Sequence, residues 1–477
     1  SLREPNIVIM ARNKKKIHQH VLIESVANSG SAFGRVEGKV VFTEGVIPGD
    51  IVDIQVARKR NGYDTGYVTA IHKKSDLRIE PFCTHFDICG GCTWQNVEYE
   101  TQLQFKQQLV DDAFRLLKRS PGFPEIEKII ASPYDRYYRN KMEYTFTNGA
   151  YIFDPHYDKS NPPEKKPGCG FHVKGQFANV FDMERCYLQG SLSNEIRMAV
   201  RSYALMHGFA FYDLRNHTGY MRNLIIRNTG TGDLMVILVV ALDEPEKLLP
   251  MMEHIRNAFP EITSLYYCIN TKHNDVIYDI DVTLFAGKPH MIEEIDGIKY
   301  QLGPRAFFQT NTEQAKNLYR KTIAYAALKP DDKVYDLYTG LGSIALQAAN
   351  KCSKVVGVEL VEAAIADAKE NAKLNNIDNC TFIAGDMAKI FTDDFIAEHG
   401  KANVVITDPP RAGMHKDVCL QLLKLAPERI VYVSCNPVTQ ARDIQLLIDD
   451  YKVTALQPFD QFPQTYHVES IALLERR

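Results

Sequence analysis

Short segments in which apolar and polar residues alternate make up the chain between residues 17 and 74. The alternation runs through HVLIESVANSG, GRVEGKVVFTEG, DIVDIQVARKR and YDTGYVTAIHK, with glycines such as Gly38, Gly45 and Gly62 marking the turns. Alternation with a period of two indicates half-buried strands, and several short strands between turn signals predict a small β-barrel. An oligonucleotide-binding barrel and an SH3-like structural barrel both fit this pattern.

A cysteine-rich turn and a mixture of strands and helices follow over residues 75–300. An amphipathic helix is predicted from about Tyr99 to Leu117, and strands from about Tyr137 to Ala286 fit an antiparallel sheet. The polar, proline-rich insert at residues 154–168 predicts a loop. We therefore expect a central α+β domain over residues 75–300.

After Gln314 the pattern changes to short apolar strands that alternate with helices. The strands are contained in KVYDLYTGLGS, KVVGVE, CTFIAGDM, ANVVITDPPR and RIVYVSCNPVT. This alternation is typical of a parallel sheet with crossover helices, so residues 301–477 are predicted to form a doubly wound, Rossmann-like α/β domain. Such sheets bind ligands at the carboxyl ends of their strands.

Composition excludes several classes of protein. The 477 residues are 45% hydrophobic and 24% charged, which is typical of a globular protein and not of a disordered or collagen-like one. The longest strongly apolar run, Leu234–Leu242, is shorter than the ~20 residues that span a bilayer. No secretory signal follows Ser1, so we expect a cytoplasmic protein without a membrane partner.

Positive charge is concentrated at the start of the chain. The net charge is -3, yet residues 1–80 contain 13 Lys and Arg against 9 Asp and Glu, which gives +4. Clusters stand at Lys14-Lys15-Lys16 and Arg58-Lys59-Arg60. Each cluster fits either a solvated charged face or a contact with a phosphate backbone.

Polar residues at four strand ends predict a ligand crevice in the last domain. Gly340 and Gly342 form a Gly-x-Gly turn after the first strand, which by itself also fits an ordinary tight turn. Glu359 ends the second strand, at the position where an acidic residue binds ribose hydroxyls in doubly wound folds. Asp386 and Asp408 follow the next two strands. Because neither the three-glycine dinucleotide fingerprint nor a Walker motif is present, S-adenosylmethionine (SAM) fits better than NAD or ATP.

Two further residues near strand ends are candidates for catalysis. Cys435 follows the strand IVYVS, where a cysteine is either a small core residue or a nucleophile beside the crevice. Glu469, near His467 and just before the last strand, is either a solvated edge residue or a general base with a raised pKa.

A thiol, a carboxylate and SAM together suit methylation of uracil at carbon 5. Carbon 5 is too poor a nucleophile to accept a methyl group until a thiolate adds to carbon 6. A separate base must then remove the carbon-5 proton so that the cysteine can leave. The target base must also be unstacked or flipped into the site.

Three of the ten cysteines, Cys83, Cys89 and Cys92, lie within ten residues of one another. Cytosolic thiols stay reduced, so this local cluster indicates metal ligation or redox chemistry in place of disulfides. The only tryptophan, Trp94, follows directly and is either an apolar cover for the cluster or a platform for base stacking.

The ordered set FFQTN, DLYTGLGS, VVGVE, DPPRAG, SCNPVT and FPQTYHVE resembles the RNA (uracil-5-)-methyltransferase family. CTHFDICGGCTWQ resembles the iron–sulfur branch of that family, which acts on 23S ribosomal RNA, and residues 17–74 resemble its TRAM barrel. The resemblance covers nearly the whole chain. It implies 5-methyluridine formation in ribosomal RNA by an enzyme that uses SAM and a [4Fe–4S] cluster, and we expect a monomer.

The resemblance also implies roles for individual residues. Cys435 matches the family's nucleophile, Glu469 its base, and Arg411 a residue that positions substrate. Thr339 and Ser343 depart from the common Cys and Asn, which puts single hydrogen bonds in doubt. The SAM contacts implied by the match are Gln309, Tyr338, Ser343, Glu359, Asp386 and Asp408.

The same branch implies four cysteine ligands, namely Cys83, Cys89, Cys92 and a distant fourth. Cys186 in FDMERCYLQ fits the family's pattern, and Cys169 is the rival candidate. A four-cysteine zinc site is an alternative to the iron–sulfur cluster because it uses similar spacing.

Three other functions remain as alternatives. An adenine amino-methylase also has Asp-Pro-Pro at a strand end, but it needs no cysteine and usually has Tyr where this chain has Arg411. The same uracil chemistry on tRNA is a second alternative. A non-catalytic RNA-binding protein is the third, although Cys435 and Glu469 speak against it.

Overall fold

The computed structural model describes residues 16–152 and 164–477. These residues divide into two compact units, one containing 16–80 with 96–101 and the other containing 81–95 with the described residues from 102 onwards. Lys14, Lys15 and residues 154–163 of the predicted loop lie outside the described residues. The domain boundaries at residues 74 and 300 stay predictions.

The first unit contains a six-stranded sheet with the order β1-β5-β6-β4-β3-β2. Its strands are β1 (Ile17–Leu22), β2 (Ser25–Val26), β3 (Ala32–Val36), β4 (Lys39–Thr43), β5 (Ile51–Lys59) and β6 (Tyr63–Lys73). The sheet curls until β3 meets β1, where a Cβ atom on Gly34 would stand 2.2 Å from the carbonyl oxygen of Leu22. Only glycine permits this approach, and the closure produces the barrel that the alternation predicts.

The second unit begins with a mixed α/β region. Its elements are α1 (Tyr99–Ala113), a 3-10 turn (Leu117–Arg119), β7 (Lys141–Thr147), β8 (Gly168–Gly170), β9 (His172–Val173), β10 (Gln176–Val180), α2 (Ser191–Met206), β11 (Met221–Asn228), β12 (Leu234–Val240), α3 (Pro245–Ala258), β13 (Ser264–Ile269), β14 (Val282–Gly287), β15 (Met291–Ile295) and β16 (Ile298–Leu302). The helix predicted to reach Leu117 ends at Ala113, because a turn and the 3-10 segment replace its last residues.

The central sheet has the order β14-β13-β12-β11-β7-β8. All of its pairs are antiparallel except β12 and β13, which run parallel with Met235 opposite Ser264. The expectation of a purely antiparallel sheet is wrong at this pair. The reason is that α3 lies between the two strands in the chain and forms a crossover, which returns β13 in the same direction as β12.

The remainder of the second unit contains a seven-stranded sheet. Its elements are α4 (Thr312–Ala326), β17 (Lys333–Leu337), α5 (Ser343–Ala349), β18 (Lys354–Glu359), α6 (Glu362–Leu374), β19 (Cys380–Ala384), α7 (Met387–Ile390), α8 (Asp393–His399), β20 (Val404–Thr407), α9 (Lys416–Leu425), β21 (Arg429–Ser434), α10 (Pro437–Gln445), β22 (Tyr451–Phe459) and β23 (Glu469–Arg476). The order is β19-β18-β17-β20-β21-β23-β22.

The direction of the strands decides where this sheet can bind a ligand. β17 to β21 are parallel, whereas β23 is inserted antiparallel between β21 and β22. The strand order reverses between β17 and β20, and such a switch point leaves a crevice at the carboxyl ends of the strands. The central strands β17, β20 and β21 are almost entirely buried, as expected when helices cover both faces. In the described part of the chain, no helix combines the length and apolar character needed to cross a membrane.

A buried ion pair joins α1 to the loop at residues 460–468, between β22 and β23. The Lys106 ammonium lies 2.5 Å from the Asp460 carboxylate and also donates to the carbonyl oxygen of Phe462 at 2.9 Å. Both charged side chains are fully buried. Loss of one partner would leave the other charge buried without its counter-charge.

We expect Lys106→Met to lower the free energy of unfolding of the second unit by about 3–5 kcal/mol, because the buried carboxylate of Asp460 loses its counter-charge. Urea denaturation followed by circular dichroism measures the change. Lys118→Met is the matched control, since Lys118 pairs with Asp111 at the surface and its loss should cost below about 1 kcal/mol. Equal effects of the two substitutions would contradict this account.

Candidate active site

A cavity of about 520 Å³ opens at the carboxyl ends of β17, β18 and β20. This volume is typical of a site for a small molecule or cofactor. The structure brings all six residues predicted to contact SAM to its wall, namely Gln309, Tyr338, Ser343, Glu359, Asp386 and Asp408. The expected crevice is therefore present, and the predicted residues share it.

The turn after β17 presents its backbone to the cavity. Tyr338, Gly340 and Gly342 have positive φ angles of 64°, 56° and 86°. The amide of Gly340 donates to Oε2 of Glu359 at 3.2 Å, and Gly342 caps α5 ahead of Ser343. Tyr338 adopts a conformation that is strained for a non-glycine residue, which occurs where surrounding structure fixes a functional turn. The Gly-x-Gly motif is thus part of the cavity wall, and its hydrogen bond to Glu359 helps to fix its position.

Asp336 is a site residue that the sequence analysis missed. It lies within β17, is 1% exposed, lines the cavity and accepts a hydrogen bond of 2.6 Å from the Thr339 hydroxyl. Burial, and more weakly the nearby charge of Glu359, raises the pKa of Asp336 to about 7. An acidic residue inside the otherwise apolar strand VYDLY was the available signal.

Cys435 and Glu469 are brought together by the pairing of β21 with β23. The register places Ser434 opposite Ser470. Cys435 directly follows β21 and Glu469 begins β23, so both residues lie at the same end of the ladder. Cys435 is half-buried and Glu469 is 4% exposed, so water has little access to either side chain.

Acidic groups near Cys435 shape its electrostatics. Burial and then the charge of Asp408 raise the pKa of Glu469 to about 8. Burial and then the charge of Asp336 raise the pKa of Asp408 to about 7. Burial, followed by the charges of Glu469 and Asp408, raises the pKa of the Cys435 thiol to about 12, while Arg411 opposes that shift. Asp408 therefore links the cavity to the thiol and carboxylate pair.

The segment around Arg411 is exposed and lies beside Cys435. The carbonyl oxygen of Arg411 accepts hydrogen bonds from the side chains of Asn436 and Thr439 at 3.1 and 3.2 Å. Its guanidinium group lies 5.8 Å from the centre of the Tyr466 ring. Burial, and then the charge of Arg411, lowers the pKa of His467 to about 4, so this imidazole is neutral near pH 7.

A second, small cavity is lined by the three neighbouring cysteines Cys83, Cys89 and Cys92 together with the distant Cys186. Burial raises the pKa of each thiol. Repulsion between neighbouring thiolates raises the pKa of Cys89, Cys92 and Cys186 further. Cys169 lies elsewhere, with its amide bonded to Asp182 and its carbonyl oxygen to Arg197. Among the described residues, no three of these sulfur atoms lie mutually within 4.8 Å.

Trp94 is neither a stacking platform nor a wall of the cysteine cavity. It is 2% exposed and makes an edge contact with Phe105 at a ring distance of 5.4 Å. The cavity wall is formed by other residues, including Phe171 and Phe181. Its burial leaves no face for an RNA base, so Trp94 belongs to the protein core.

In the first unit, His20, Asp53 and His72 bring three possible metal-binding atoms within 4.8 Å of one another. Nε2 of His72 lies 2.8 Å from Oδ1 of Asp53, which also accepts the backbone amide of His20 at 2.8 Å. The two imidazole rings stack at 4.0 Å. These contacts account for the group without an ion.

Comparisons with known proteins agree with this geometry. Residues 292–477 match the family described as tRNA (Uracil-5-)-methyltransferase, and residues 18–69 match the TRAM domain. An uncharacterized RNA methyltransferase of Bacteroides thetaiotaomicron is 46% identical over 455 residues, which cover 95% of this chain and 100% of that protein. An uncharacterized RNA methyltransferase of Porphyromonas gingivalis is 44% identical over 461 residues, covering 95% and 99%.

A solved structure resembles the whole chain. The crystal structure of Pyrococcus abyssi tRNA (uracil-54, C5)-methyltransferase in complex with S-adenosyl-L-homocysteine matches with a TM-score of 0.74 and 26% identity. The match covers 96% of this chain and 100% of that one. Together with the strand order and the cavity, it defines a SAM-dependent methyltransferase preceded by a TRAM domain. The chain belongs to the RNA (uracil-5-)-methyltransferase family, as its motifs predicted.

The raised pKa of Glu469 predicts a pH-dependent difference between the native protein and Glu469→Gln. Between pH 4.5 and 8 the native fold holds a proton that the unfolded chain releases, so rising pH destabilises the native protein. The unfolding free energy of the variant, minus that of the native protein, should grow by up to about 1.4 kcal/mol per pH unit. Denaturant titrations from pH 5 to 9 measure it. A difference that stays constant across this range would contradict burial of a protonated Glu469.

Proposed function

We propose that this enzyme methylates carbon 5 of a uridine in 23S ribosomal RNA through a transient bond between Cys435 and carbon 6. The observation that supports the proposal most strongly is that Cys435 and Glu469 lie at the same end of the β21–β23 ladder, close enough for the charge of Glu469 to act on the thiol. Asp408 connects that pair electrostatically with the cavity that suits SAM. Nucleophile, base and methyl donor would then lie at the same edge of the sheet, with Asp408 between the cavity and the other two groups.

The reaction follows from the chemistry of these groups. The Cys435 thiolate adds to carbon 6, and the electron pair of the 5,6 double bond moves toward the carbonyl at carbon 4. SAM supplies an electrophilic methyl group on a sulfonium ion. Carbon 5 forms its new bond to that methyl as the bond from the sulfonium sulfur to the methyl breaks. Glu469 next takes the carbon-5 proton, the double bond re-forms, and Cys435 leaves with its electron pair.

The raised pKa values fit this sequence of steps. The thiol needs help to ionise, because the acidic residues beside it disfavour a further negative charge. A cation bound beside Asp408 would lower the pKa values of the acidic groups and of the thiol. A base must accept a proton in the last step, so Glu469, whose pKa is raised to about 8, must first lose its own proton, and a cation beside Asp408 favours that loss.

Residues on the cavity wall are proposed to hold SAM. Glu359 is placed to accept hydrogen bonds from ribose hydroxyls, as acidic residues at the end of the second strand do in such sheets. The backbone of residues 338–342 offers a surface for close approach, since Gly340 and Gly342 have no Cβ. Gln309, Tyr338, Ser343, Asp386 and Asp408 complete the proposed set.

RNA is proposed to contact the barrel, residues 17–74, as well as the catalytic domain, residues 301–477. Arg58, Lys59 and Arg60 are exposed at the end of β5, where positive charge can meet a phosphate backbone. The cysteine motif, which resembles the 23S branch, supports ribosomal RNA. A tRNA uridine is the second candidate, because the Pyrococcus abyssi structure is that of a tRNA methyltransferase.

The four clustered cysteines of the proposed central domain, residues 75–300, support a [4Fe–4S] cluster over zinc. Zinc bonds of about 2.3 Å in a tetrahedron place sulfur atoms about 3.8 Å apart. The sulfur atoms of Cys83, Cys89, Cys92 and Cys186 line one cavity but form no triplet within 4.8 Å, which suits a larger group. We propose that these residues hold the cluster and that it has a structural role, because methyl transfer requires no electron.

Incubation with SAM and 5-fluorouracil-substituted fragments of 23S rRNA tests the proposed reaction. Fluorine cannot be removed as a proton is, so a stable protein–RNA adduct through Cys435 should accumulate on a denaturing gel. Cys435→Ala should abolish it, whereas Cys419→Ala should not, because Cys419 is a buried residue of α9. Mapping the adduct identifies the nucleotide.

Substituted tRNA in a parallel reaction separates the two substrates. An adduct with tRNA alone would replace ribosomal RNA by tRNA as the proposed substrate. If Cys435→Ala retained methyl transfer to RNA, the covalent route would be wrong.

The proposed ligand set predicts different effects for two buried cysteines. Cys186→Ser should lower the iron content and the visible absorption of anaerobically purified protein, because it removes a cluster ligand. Cys169→Ser should leave both unchanged, since Cys169 lies outside the cysteine cavity. Iron and sulfide analysis together with absorption spectra measure the effects. Zinc in place of iron in the intact protein would contradict the proposal.

A further inference from the structure

The loop at residues 460–468 leads directly into Glu469 and is held mainly by polar contacts. Gln461 exchanges hydrogen bonds with Asn311, and the Tyr138 hydroxyl donates to the carbonyl oxygen of Pro463 at 3.0 Å. Lys106 binds Asp460 and the carbonyl oxygen of Phe462. Hydrogen bonds are directional, so they fix the path of a loop more narrowly than apolar packing does.

Gln464 lies at the centre of these contacts. It is 2% exposed and has a φ angle of 69°. This conformation costs a non-glycine residue energy, and it persists only where surrounding contacts offset that cost. Its backbone amide donates to Oε1 of Gln102 at 2.9 Å, and its own Oε1 accepts from Nε2 of Gln102 at 2.9 Å. The two glutamines thus form a reciprocal pair between α1 and the loop.

Gln464 is also hydrogen-bonded to the end of residues 83–94, the cysteine segment. The carbonyl oxygen of Gln464 accepts the amides of Thr93 at 2.7 Å and Trp94 at 3.1 Å. Gln102 closes the group by donating to the carbonyl oxygen of Trp94 at 3.0 Å. The cysteine segment, α1 and the loop therefore meet at one buried set of hydrogen bonds.

Short local bonds connect Gln464 with the residues just before Glu469. The Thr465 hydroxyl donates to the carbonyl oxygen of Phe462 at 2.8 Å and accepts the amide of His467 at 3.2 Å. Because these bonds make the turn stiff, a shift of Gln464 would also displace Glu469 at the start of β23.

We propose that Gln464 is a positioning residue for Glu469 and that, paired with Gln102, it makes the placement of this base depend on the order of the cysteine segment. The inference rests on the proposed function, since it assumes that Glu469 removes the carbon-5 proton. Disturbing the pair slows removal of that proton and leaves addition of Cys435 to carbon 6 largely intact. The methylated covalent adduct, normally short-lived, then accumulates.

Gln102→Leu tests the proposal because leucine keeps much of the volume and removes every side-chain hydrogen bond of Gln102. Gln107→Leu is the matched control on the same helix, since Gln107 bonds to the backbone of Glu127 and Ile129 and not to the loop. With ordinary uridine RNA and SAM, Gln102→Leu should raise the fraction of adduct on a denaturing gel by about tenfold or more, the scale expected for a misplaced catalytic group. The control should match the native protein.

Trapping with 5-fluorouracil RNA separates this inference from the proposed function. Trapping requires Cys435 but no proton removal, so its rate should change by less than about threefold in Gln102→Leu. Normal trapping with no extra uridine adduct would overturn the inference and leave the proposed function intact. Absence of trapping in the native protein would overturn the proposed function itself. Equal slowing of trapping and methylation would show general damage and also overturn the inference.

Hydrogen exchange without RNA or SAM gives a readout that does not depend on catalysis. Amides of residues 460–468 should exchange faster in Gln102→Leu and also in Cys92→Ser, while amides of β12, in the buried central sheet, should keep their native rates. Unchanged exchange in the loop, or equal acceleration in β12, would overturn the proposed coupling.

Discussion

The antiparallel pairing of β23 with β21 is the constraint on which the candidate site depends. β21 is parallel to its neighbours and ends at the carboxyl edge of the sheet, where ligands bind. β23 runs in the opposite direction, so its first residue lies at that same edge. This geometry places Glu469, which begins one strand, beside Cys435, which follows the end of another. A parallel strand would have carried Glu469 to the opposite edge.

The acidic groups at this edge follow from the same geometry. Asp336 and Asp408 belong to, or directly follow, adjacent strands. Burial raises the pKa of each to about 7, with a smaller contribution from the charge of Glu359 at Asp336 and from the charge of Asp336 at Asp408. Groups with a pKa of about 7 are only partly ionised near neutral pH, and they become charged more readily beside a cation. The site is thus suited to a positively charged methyl donor, and the same charges restrain ionisation of the Cys435 thiol.

The central part of the second unit contributes more than a scaffold. Its cysteine segment and α1 hold the loop before Glu469 through buried hydrogen bonds and the ion pair of Lys106 with Asp460. Because these groups are polar and buried, removal of one partner leaves another unsatisfied. The loop before Glu469 and the residues that follow Cys92 are therefore in direct physical contact.

The sequence by itself determined the features that depend on local pattern. The alternation of apolar and polar residues predicted the barrel, and the alternation of strands and helices predicted the doubly wound sheet. Motifs at strand ends predicted a shared cavity that contains residues such as Glu359 and Asp408. These predictions succeeded because periodicity and strand direction are properties of neighbouring residues. The roles of the site residues were implied by family resemblance and stay proposals.

Only the tertiary structure decided which distant residues meet. It placed Cys186 with the clustered cysteines and Cys169 away from them, and it buried Trp94 in the core. It also showed that β12 and β13 are parallel and that Asp336 faces the cavity. These outcomes depend on register, crossover direction and packing between segments far apart in the chain, and no local pattern of apolar and polar residues encodes them.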